Sequence, residues 1–153
     1  MMSYRFKKSV PLPTEGGIKL SKGKNLSSSW WKERWIEAVE SFNDGGRLSR
    51  GRSYARKGQV LDISISKGQV IAIVQGSQKS PYRVSIEVET LPDEAWNMVT
   101  RALSAKALYA AKLFSGELPN DIETFFEEVG ISLLPTSYSD FSTDCSCPDW
   151  SNP

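Results

Sequence analysis

The sequence has 153 residues, of which 39% are hydrophobic and 24% are charged, a composition that can bury one hydrophobic core. No apolar run approaches the roughly 20 residues that a membrane-spanning helix needs, and no apolar segment of a signal peptide follows the basic N-terminus. Two cysteines are too few for a secreted disulfide scaffold, so we expect both to be reduced thiols. These features predict a cytoplasmic protein without a membrane partner.

The formal net charge of +1 conceals opposite charges on the two halves of the chain. Residues 1–83 contain 16 Lys and Arg and 6 Asp and Glu, a net charge of +10. Residues 84–153 contain 3 Lys and Arg and 12 Asp and Glu, a net charge of −9. Clustered cations attract phosphates, which favours an anionic partner for the basic half. Alternatively, the two halves fold against each other and partly neutralise one another.

The first predicted elements are an arm, a helix and a sheet. Residues 1–29 are polar and interrupted by Gly and Pro, which is typical of a flexible arm. Apolar residues at helical spacing from Trp31 to Phe42 predict an N-terminal helix. Three strand-like runs then predict an antiparallel β-meander with its most apolar strand in the centre. These runs are residues 61–65, 70–74 and 82–88, with a tight turn at residues 66–68.

The last third of the chain is predicted to be helical. One apolar stripe begins after Pro92 and ends at Phe114, and a second helix begins at Asn120, where Glu123 would complete a capping box. Because they lie on helical stripes, Trp31, Trp35 and Trp96 are predicted to be core residues. The predicted fold class is α+β, with an N-terminal helix, a three-stranded meander, two C-terminal helices and an irregular tail. The predicted domains are the arm (1–29), an α+β domain (30–134) and the tail (135–153).

The sequence carries no signature of a common enzyme. It has no histidine, which removes the usual general base and the commonest transition-metal ligand. The glycine-rich loops of nucleotide-binding proteins and the nucleophile motif of serine hydrolases are also absent from it. We therefore predict no catalytic residues and a protein that is not an enzyme.

The densest basic stretch precedes the first predicted strand. Arginine binds phosphate with two parallel hydrogen bonds, and an aromatic ring among the arginines can stack on an unpaired base. The alternative is a solvated loop whose arginines pair with the acidic half of the chain. The candidate nucleic-acid-binding residues are Arg47, Arg50, Arg52, Tyr54, Arg56 and Lys57.

Cys145 and Cys147 are candidate zinc ligands near the C-terminus, in the sequence CSCPDWSNP. Two thiolates can begin a tetrahedral zinc site, but zinc requires four ligands. The sequence offers no third cysteine and no histidine, and Asp140, Asp144 and Asp149 are the nearest oxygen donors. The alternative is a pair of thiols with no metal-binding role.

The segment CSCPDW resembles the first half of the SWIM-type zinc finger, whose pattern is Cys-x-Cys, a short spacer and then Cys-x-His. In the bacterial and archaeal branch of that family, CSCPDW is followed after a few residues by CKH. Three upstream stretches are also similar to the domain that precedes the finger in that branch. They are RGRSYARKGQV (50–60), GQVIAIVQGSQKSPYRVSI (68–86) and SGELPNDIE (115–123).

The resemblance implies a small interaction module that binds zinc, contacts DNA or proteins, and in some members occurs beside helicase-like ATPases. It implies no enzymatic activity. Cys145 and Cys147 match the first two ligand positions, whereas Cys-x-His would begin where this sequence ends, so we expect a C-terminally incomplete finger. A complete zinc site then requires Cys-x-His downstream or from another chain. The leading hypothesis is a nucleic-acid-binding module, and the alternative is a protein-interaction subunit of a helicase-like ATPase complex.

Overall fold

The structure is a computed structural model that describes residues 10–19, 30–41 and 46–148. It has the predicted α+β class, with helices and a four-stranded antiparallel sheet. None of the helices in the described ranges is long and apolar enough to cross a membrane. The helices are α1 (Trp30–Ser41), α2 (Gly46–Lys57), α3 (Asp93–Ser104), α4 (Ala107–Phe114) and α5 (Ile122–Glu128). The strands are β1 (Val60–Ser66), β2 (Gln69–Val74), β3 (Tyr82–Val88) and β4 (Phe141–Cys145).

The chain divides into two compact units, each built from separated segments. Unit 1 comprises Met1–Lys24, Gly46–Val88 and Ser142–Pro153, and unit 2 comprises Asn25–Gly45 and Glu89–Phe141. The predicted domain boundaries at residues 29 and 134 stay predictions. Unit 1 carries 14 Lys and Arg and 5 Asp and Glu, a net charge of +9. Unit 2 carries 5 Lys and Arg and 13 Asp and Glu, a net charge of −8. The charge asymmetry of the sequence thus coincides with the two units.

Three strands of unit 1 form the predicted meander. The strand order is β1-β2-β3-β4, and the apolar β2 lies between β1 and β3 as predicted. Ser66 pairs with Gln69 across the predicted tight turn, where Gly68 has a φ of 69°. Positive φ is accessible to glycine at no steric cost, which explains the residue at this position. The strand pattern therefore predicted the order of these three strands, and the turn residues predicted the position of the hairpin.

The prediction of an irregular tail and of three strands was wrong, because β4 adds a fourth strand beside β3. Ser146, immediately after β4, donates its backbone N–H to the carbonyl oxygen of Arg83 at 3.0 Å. Burial alternates along the five residues of β4, as it does in a strand with one covered face. The strand is short and polar, so its conformation depends on pairing with a distant segment. Residues 149–153 of the predicted tail lie outside the described residues.

The basic stretch is a helix, α2, and not the loop that we considered as the alternative. Good helix formers, including four arginines and Ala55, outweigh Gly51 in its interior. Gly58 ends the helix with a φ of 74°, and the N–H of Gln59 donates to the carbonyl oxygen of Tyr54 at 3.0 Å. This is the hydrogen bond of a Schellman motif, in which glycine is favoured. Gly58 therefore has a structural role in ending α2.

Part of the predicted arm is hydrogen-bonded within unit 1. The N–H of Ile18 donates to Val60, and the hydroxyl of Thr14 donates to the carbonyl oxygen of Gly58 at 2.8 Å. A Cβ at Gly17 would lie 1.8 Å from the Gly58 carbonyl oxygen, so the two backbones are in close contact. The other residues of the arm, 1–9 and 20–29, lie outside the described residues. No sequence pattern indicates these contacts, because they are made by backbone atoms and one hydroxyl.

Unit 2 contains the hydrophobic core. Val99, Ile122 and Phe126 form the buried cluster, and Val99 is completely inaccessible to solvent. Six partly buried apolar residues pack against this cluster. They are Trp30, Leu91, Leu103, Val129, Ile131 and Leu133. Five members of the apolar stripes predicted for the last third of the chain are confirmed in this core: Val99, Leu103, Ile122, Phe126 and Val129.

The helices of unit 2 differ from the prediction in two places, the middle of the first predicted helix and the start of the second. The long helix expected up to Phe114 is divided at Lys106, whose φ of −119° and ψ of 102° are extended, and Phe114 is 93% exposed. The divided segment contains no Gly or Pro, so nothing local indicated the break. The predicted capping box at Asn120 was also wrong, because Asp121 is the N-cap of α5 and makes no side-chain capping bond. Its carboxylate instead accepts a hydrogen bond from the Tyr109 hydroxyl.

The prediction that three tryptophans are core residues was wrong. Trp31, Trp35 and Trp96 are 44%, 41% and 48% exposed. Trp96 makes a T-shaped contact with the core residue Phe126, at 6.0 Å between ring centroids. Periodicity identifies the apolar face of a helix but does not indicate how far a large ring is covered. Phe42, the last residue of the predicted N-terminal stripe, lies outside the described residues.

Candidate nucleic-acid and zinc site

One cavity in unit 1 brings together candidate residues that are about 90 positions apart in the sequence. Its volume is about 360 Å³. Helix α2 contributes Arg50, Gly51 and Tyr54 to its lining, and the segment at the end of β4 contributes Cys145 and Cys147. Candidate nucleic-acid-binding residues and candidate zinc ligands therefore share one site.

The two cysteines are positioned by the serine between them. The Arg83 N–H donates to the Ser146 hydroxyl at 2.9 Å, and the Ser146 N–H donates to the Arg83 carbonyl at 3.0 Å. These two bonds attach the Cys-Ser-Cys segment to β3. The Cys147 N–H in turn donates to the Cys145 sulfur at 3.2 Å. Both thiols are free and half-buried.

The cavity is partly desolvated, and this changes the acidity of two of its groups. Burial, together with the hydrogen bond to Cys147, raises the pKa of Cys145 to about 11. Burial also raises the pKa of Tyr54, with smaller contributions from Tyr82 and Cys147, while Arg50 acts in the opposite direction. Low solvent access disfavours the ionised forms. At neutral pH, zinc would therefore have to displace a proton from the Cys145 thiol.

The sulfur atoms of Cys145 and Cys147 can supply two of the four ligands of a zinc ion. Thiolates are soft donors that suit zinc, and an N–H bond to a ligating sulfur is a usual outer contact of such sites. Within the described ranges, no group of three or more His, Cys, Asp or Glu side chains could hold a metal. The full sequence has no further Cys and no His. A site with four sulfur or imidazole donors would need two further ligands from outside these 153 residues.

Helix geometry separates the predicted basic residues into two groups. Positions 50, 54 and 57 share one side of α2, at about 100° per residue, whereas Arg52 and Arg56 lie on the opposite side. Arg50 and Tyr54 line the cavity, and Arg52, Arg56 and Lys57 are exposed beyond it. The side chain of Arg47 lies outside the described residues. The structure thus brings two of the six candidates to the cysteines.

Tyr82 is a cavity residue that the sequence analysis missed, since it was interpreted only as an apolar strand position. A Cβ at Gly76 would lie 2.0 Å from the Tyr82 ring, which therefore lies directly against the Gly76 backbone. The remaining lining residues are also close to β2 and β3 or to the cysteines. They are Val74, Ser77, Val84 and Pro148. A glycine six residues before an aromatic residue is a weak signal, and no stronger one exists in the sequence.

Comparison with known proteins identifies a relative without assigning a function. No model of a known protein family matches the chain, and no solved structure matches it. The chain is 47% identical over 146 residues to "Uncharacterized protein Rv2102" of Mycobacterium tuberculosis (strain ATCC 25618 / H37Rv). The match covers 95% of this chain and 53% of that protein, so the chain spans about half the length of the relative. Functional inference therefore depends on the site itself.

Proposed function

We propose that the protein is a non-enzymatic interaction module of the SWIM zinc-finger class that binds nucleic acid through unit 1 in the cytoplasm. The observation that supports this proposal best is the single cavity lined by Arg50, Tyr54 and both cysteines. The net charge of +9 on unit 1 would attract phosphates over long range. Phosphate contacts would provide affinity without reading the base sequence.

In this proposal, Cys145 and Cys147 hold two of the four positions of a zinc ion, and zinc fixes the end of β4. Ser146 positions both sulfurs through its bonds to Arg83. The other two ligands are a cysteine and a histidine in the order Cys-x-His, as in the family that the sequence resembles. With water in those two positions, the 153-residue chain should hold zinc weakly.

Zinc titration in the presence of a short peptide containing Cys-Lys-His tests the metal part. The peptide should complete the four-ligand site, so zinc affinity should rise and the complex should contain one zinc per chain. A peptide containing Ser-Lys-Ala is the matched control, and Cys145→Ser or Cys147→Ser should abolish the gain. Equal zinc affinity with both peptides, or one tightly held zinc per chain without either, would contradict the proposed ligand set.

Salt-dependent binding to duplex DNA tests the nucleic-acid part. Arg52 and Arg56 are exposed on α2, so replacing both with Ala should remove two phosphate contacts without affecting the cavity. The slope of log K against log salt should then fall by about 1.8, because each contact contributes roughly 0.9. The matched control is the pair Arg101→Ala and Lys112→Ala, which removes two cations from unit 2. If both pairs changed the slope equally, binding would not be located on α2.

A protein-interaction subunit of a helicase-like ATPase complex is the second candidate, and an apolar hollow in unit 2 favours it. This hollow has a volume of about 280 Å³ and is lined by Trp30, Trp31, Trp35, Leu118, Leu133 and Leu134. Exposed tryptophan beside aliphatic side chains is typical of the centre of a protein interface. Binding there should depend little on salt.

Co-purification with an ATPase from the cells of origin at about 0.5 M salt, where phosphate contacts are largely screened, distinguishes the two functions. Trp31→Ala together with Trp35→Ala should abolish an association made through the hollow. Trp96→Ala is the control, because Trp96 is similarly exposed but does not line the hollow. A complete lack of salt-sensitive nucleic-acid binding, with a stable ATPase complex that the Trp31 and Trp35 variants lose, would establish the second function instead.

A further inference from the structure

We propose that the cavity of unit 1 binds an unpaired nucleobase, so that the protein prefers single-stranded nucleic acid to duplex. This inference rests on the nucleic-acid function proposed above and specifies its ligand. The observation that supports it is a concave site with aromatic walls and the cationic side chain of Arg50, which lies in the more basic of the two units.

The side chains of the cavity match the surfaces of a nucleotide. Tyr54 and Tyr82 offer aromatic rings on which a base can stack, and every base has a face that suits such stacking. Arg50 supplies a guanidinium for the phosphate or for an acceptor on the base edge. No Asp or Glu occurs among the described residues that line the cavity, so its lining carries no carboxylate.

The aromatic wall is held in place before a ligand arrives. The Tyr82 ring lies against the Gly76 backbone, and Tyr54 is half-buried on α2. A preorganised site loses little side-chain entropy on binding. Gly51 also lines the cavity, and a Cβ there would meet no atom within 4 Å, which leaves open space beside Arg50. A base can therefore enter along α2.

Shape favours an unpaired base over a paired one. In a duplex each base is stacked on both faces and paired along its edge, so it must leave the stack before it can enter a concave site. A single strand has little or no such cost to meet, because its bases are already unpaired. A volume of about 360 Å³ lies at the lower end of the range for small-ligand pockets, which suits one base and its sugar but not a duplex.

Anisotropy titrations with a labelled oligothymidylate of about 15 nucleotides and a duplex of equal length test the inference, since single-strand sites cover roughly 4 to 16 nucleotides. The full 153-residue chain should bind the single strand about tenfold more tightly at low salt. Gly51→Leu should fill the entrance without changing charge or breaking a contact. Single-strand affinity should then fall by about 5- to 150-fold, the value of one stacked base, while duplex affinity stays within about twofold.

Matched variants separate loss of the base site from loss of the fold. Gly46→Leu makes the same change in the same helix, where a Cβ also meets nothing and the residue does not line the cavity, and it should change neither affinity. Tyr54→Phe should keep single-strand binding because it keeps the ring, whereas Tyr54→Leu should lose it. Equal salt-sensitive affinity for both ligands, or equal losses for both in Gly51→Leu, would overturn the inference and leave the proposed function standing. Salt-insensitive or undetectable binding to both would overturn the proposed function as well.

Discussion

The two units of the protein are stabilised by different kinds of buried group. All buried hydrophobic side chains of the described residues belong to unit 2, where Val99, Ile122 and Phe126 form the central cluster. The buried polar side chains described in unit 1 are the amides of Gln59 and Gln75. The Gln59 amide donates to the carbonyl oxygens of Leu12 and Gln75 at 3.0 Å and 2.7 Å. Unit 2 thus depends on apolar burial, and unit 1 depends more on hydrogen bonds.

This difference indicates which unit can respond to a ligand. A unit with a buried apolar cluster is stabilised by hydrophobic burial even when no ligand is bound. The sheet of unit 1 has no fully buried aliphatic side chain among its described residues, and its cavity is open to solvent. A ligand that binds only the folded form stabilises that form by mass action. Zinc or nucleic acid should therefore raise the stability of unit 1 more than that of unit 2.

Phe126→Ala should have the largest effect, because it opens a cavity in the only apolar cluster of the described residues. Phe126 is 2% exposed, and such truncations cost about 3–5 kcal/mol in the free energy of unfolding. Urea denaturation measures this loss, and hydrogen exchange should locate it in unit 2. Phe114→Ala is the control, since Phe114 is 93% exposed and should change stability by no more than about 0.5 kcal/mol. Similar losses for the two variants would contradict the assignment of the core.

Gln59→Ala should have an intermediate effect that is confined to unit 1. It leaves the carbonyl oxygens of Leu12 and Gln75 without this donor, at a cost of about 1–3 kcal/mol. Hydrogen exchange of β2 should accelerate while the core helices of unit 2 keep their protection. Gln69→Ala provides the comparison, because the bond of Gln69 to Glu87 is exposed. If Gln59→Ala cost no more than Gln69→Ala, buried amides would not be what stabilises unit 1.

Gly51→Ala should stabilise α2 by about 0.5–1 kcal/mol. Glycine inside a helix costs this amount relative to alanine, and an added Cβ at position 51 meets no atom within 4 Å. The gain should appear as a higher urea midpoint for unit 1. Gly76→Ala is the opposite case, because its Cβ would lie 2.0 Å from the Tyr82 ring, and it should destabilise unit 1. The same sign of change at both positions would show that the space around them is not what decides their effects.

Asp140→Asn should have the smallest effect, and that effect should depend on pH. The backbone N–H groups of Thr136 and Ser137 donate to the Asp140 carboxylate at 2.7 Å and 3.1 Å and lower its pKa. A lowered pKa in the folded state stabilises the protein above the ordinary Asp value of about 3.9, and this stabilisation is lost as the pH falls through the folded pKa. Melting temperatures of the two proteins should therefore differ at pH 7 and approach each other as the pH falls below about 3.9. A difference that stayed constant over this range would exclude the charge as its cause.

Local patterns predicted the elements that are stabilised by their own apolar faces. The alternation in residues 61–65 and 82–88 predicted the meander, and the cluster from Ile122 to Phe126 predicted part of the core. Each of these signals lies within one strand or one helix, so the spacing of its apolar residues directly indicates the secondary structure.

Features that depend on distant partners could not be predicted in this way. β4 is a polar pentapeptide that pairs with β3, more than 50 residues earlier in the chain. The candidate site combines position 50 with positions 145 and 147, and no local pattern indicates that these positions meet. The sequence did identify Arg50, Tyr54 and both cysteines as candidates, because their chemistry is evident without the fold. It missed Tyr82, whose role depends on its place beside Gly76.

The segmented composition of unit 1 has a consequence for the order in which the protein is made. Arg83 and its partner Ser146 are separated by 63 positions, and the intervening segment Glu89–Phe141 belongs to unit 2. At roughly 5–20 residues per second, the ribosome needs about 3 to 13 seconds to synthesise the chain over those 63 positions. During this interval α2 and the first three strands exist without the cysteines that complete their cavity. The candidate site is therefore completed only after the residues of the hydrophobic core have been made.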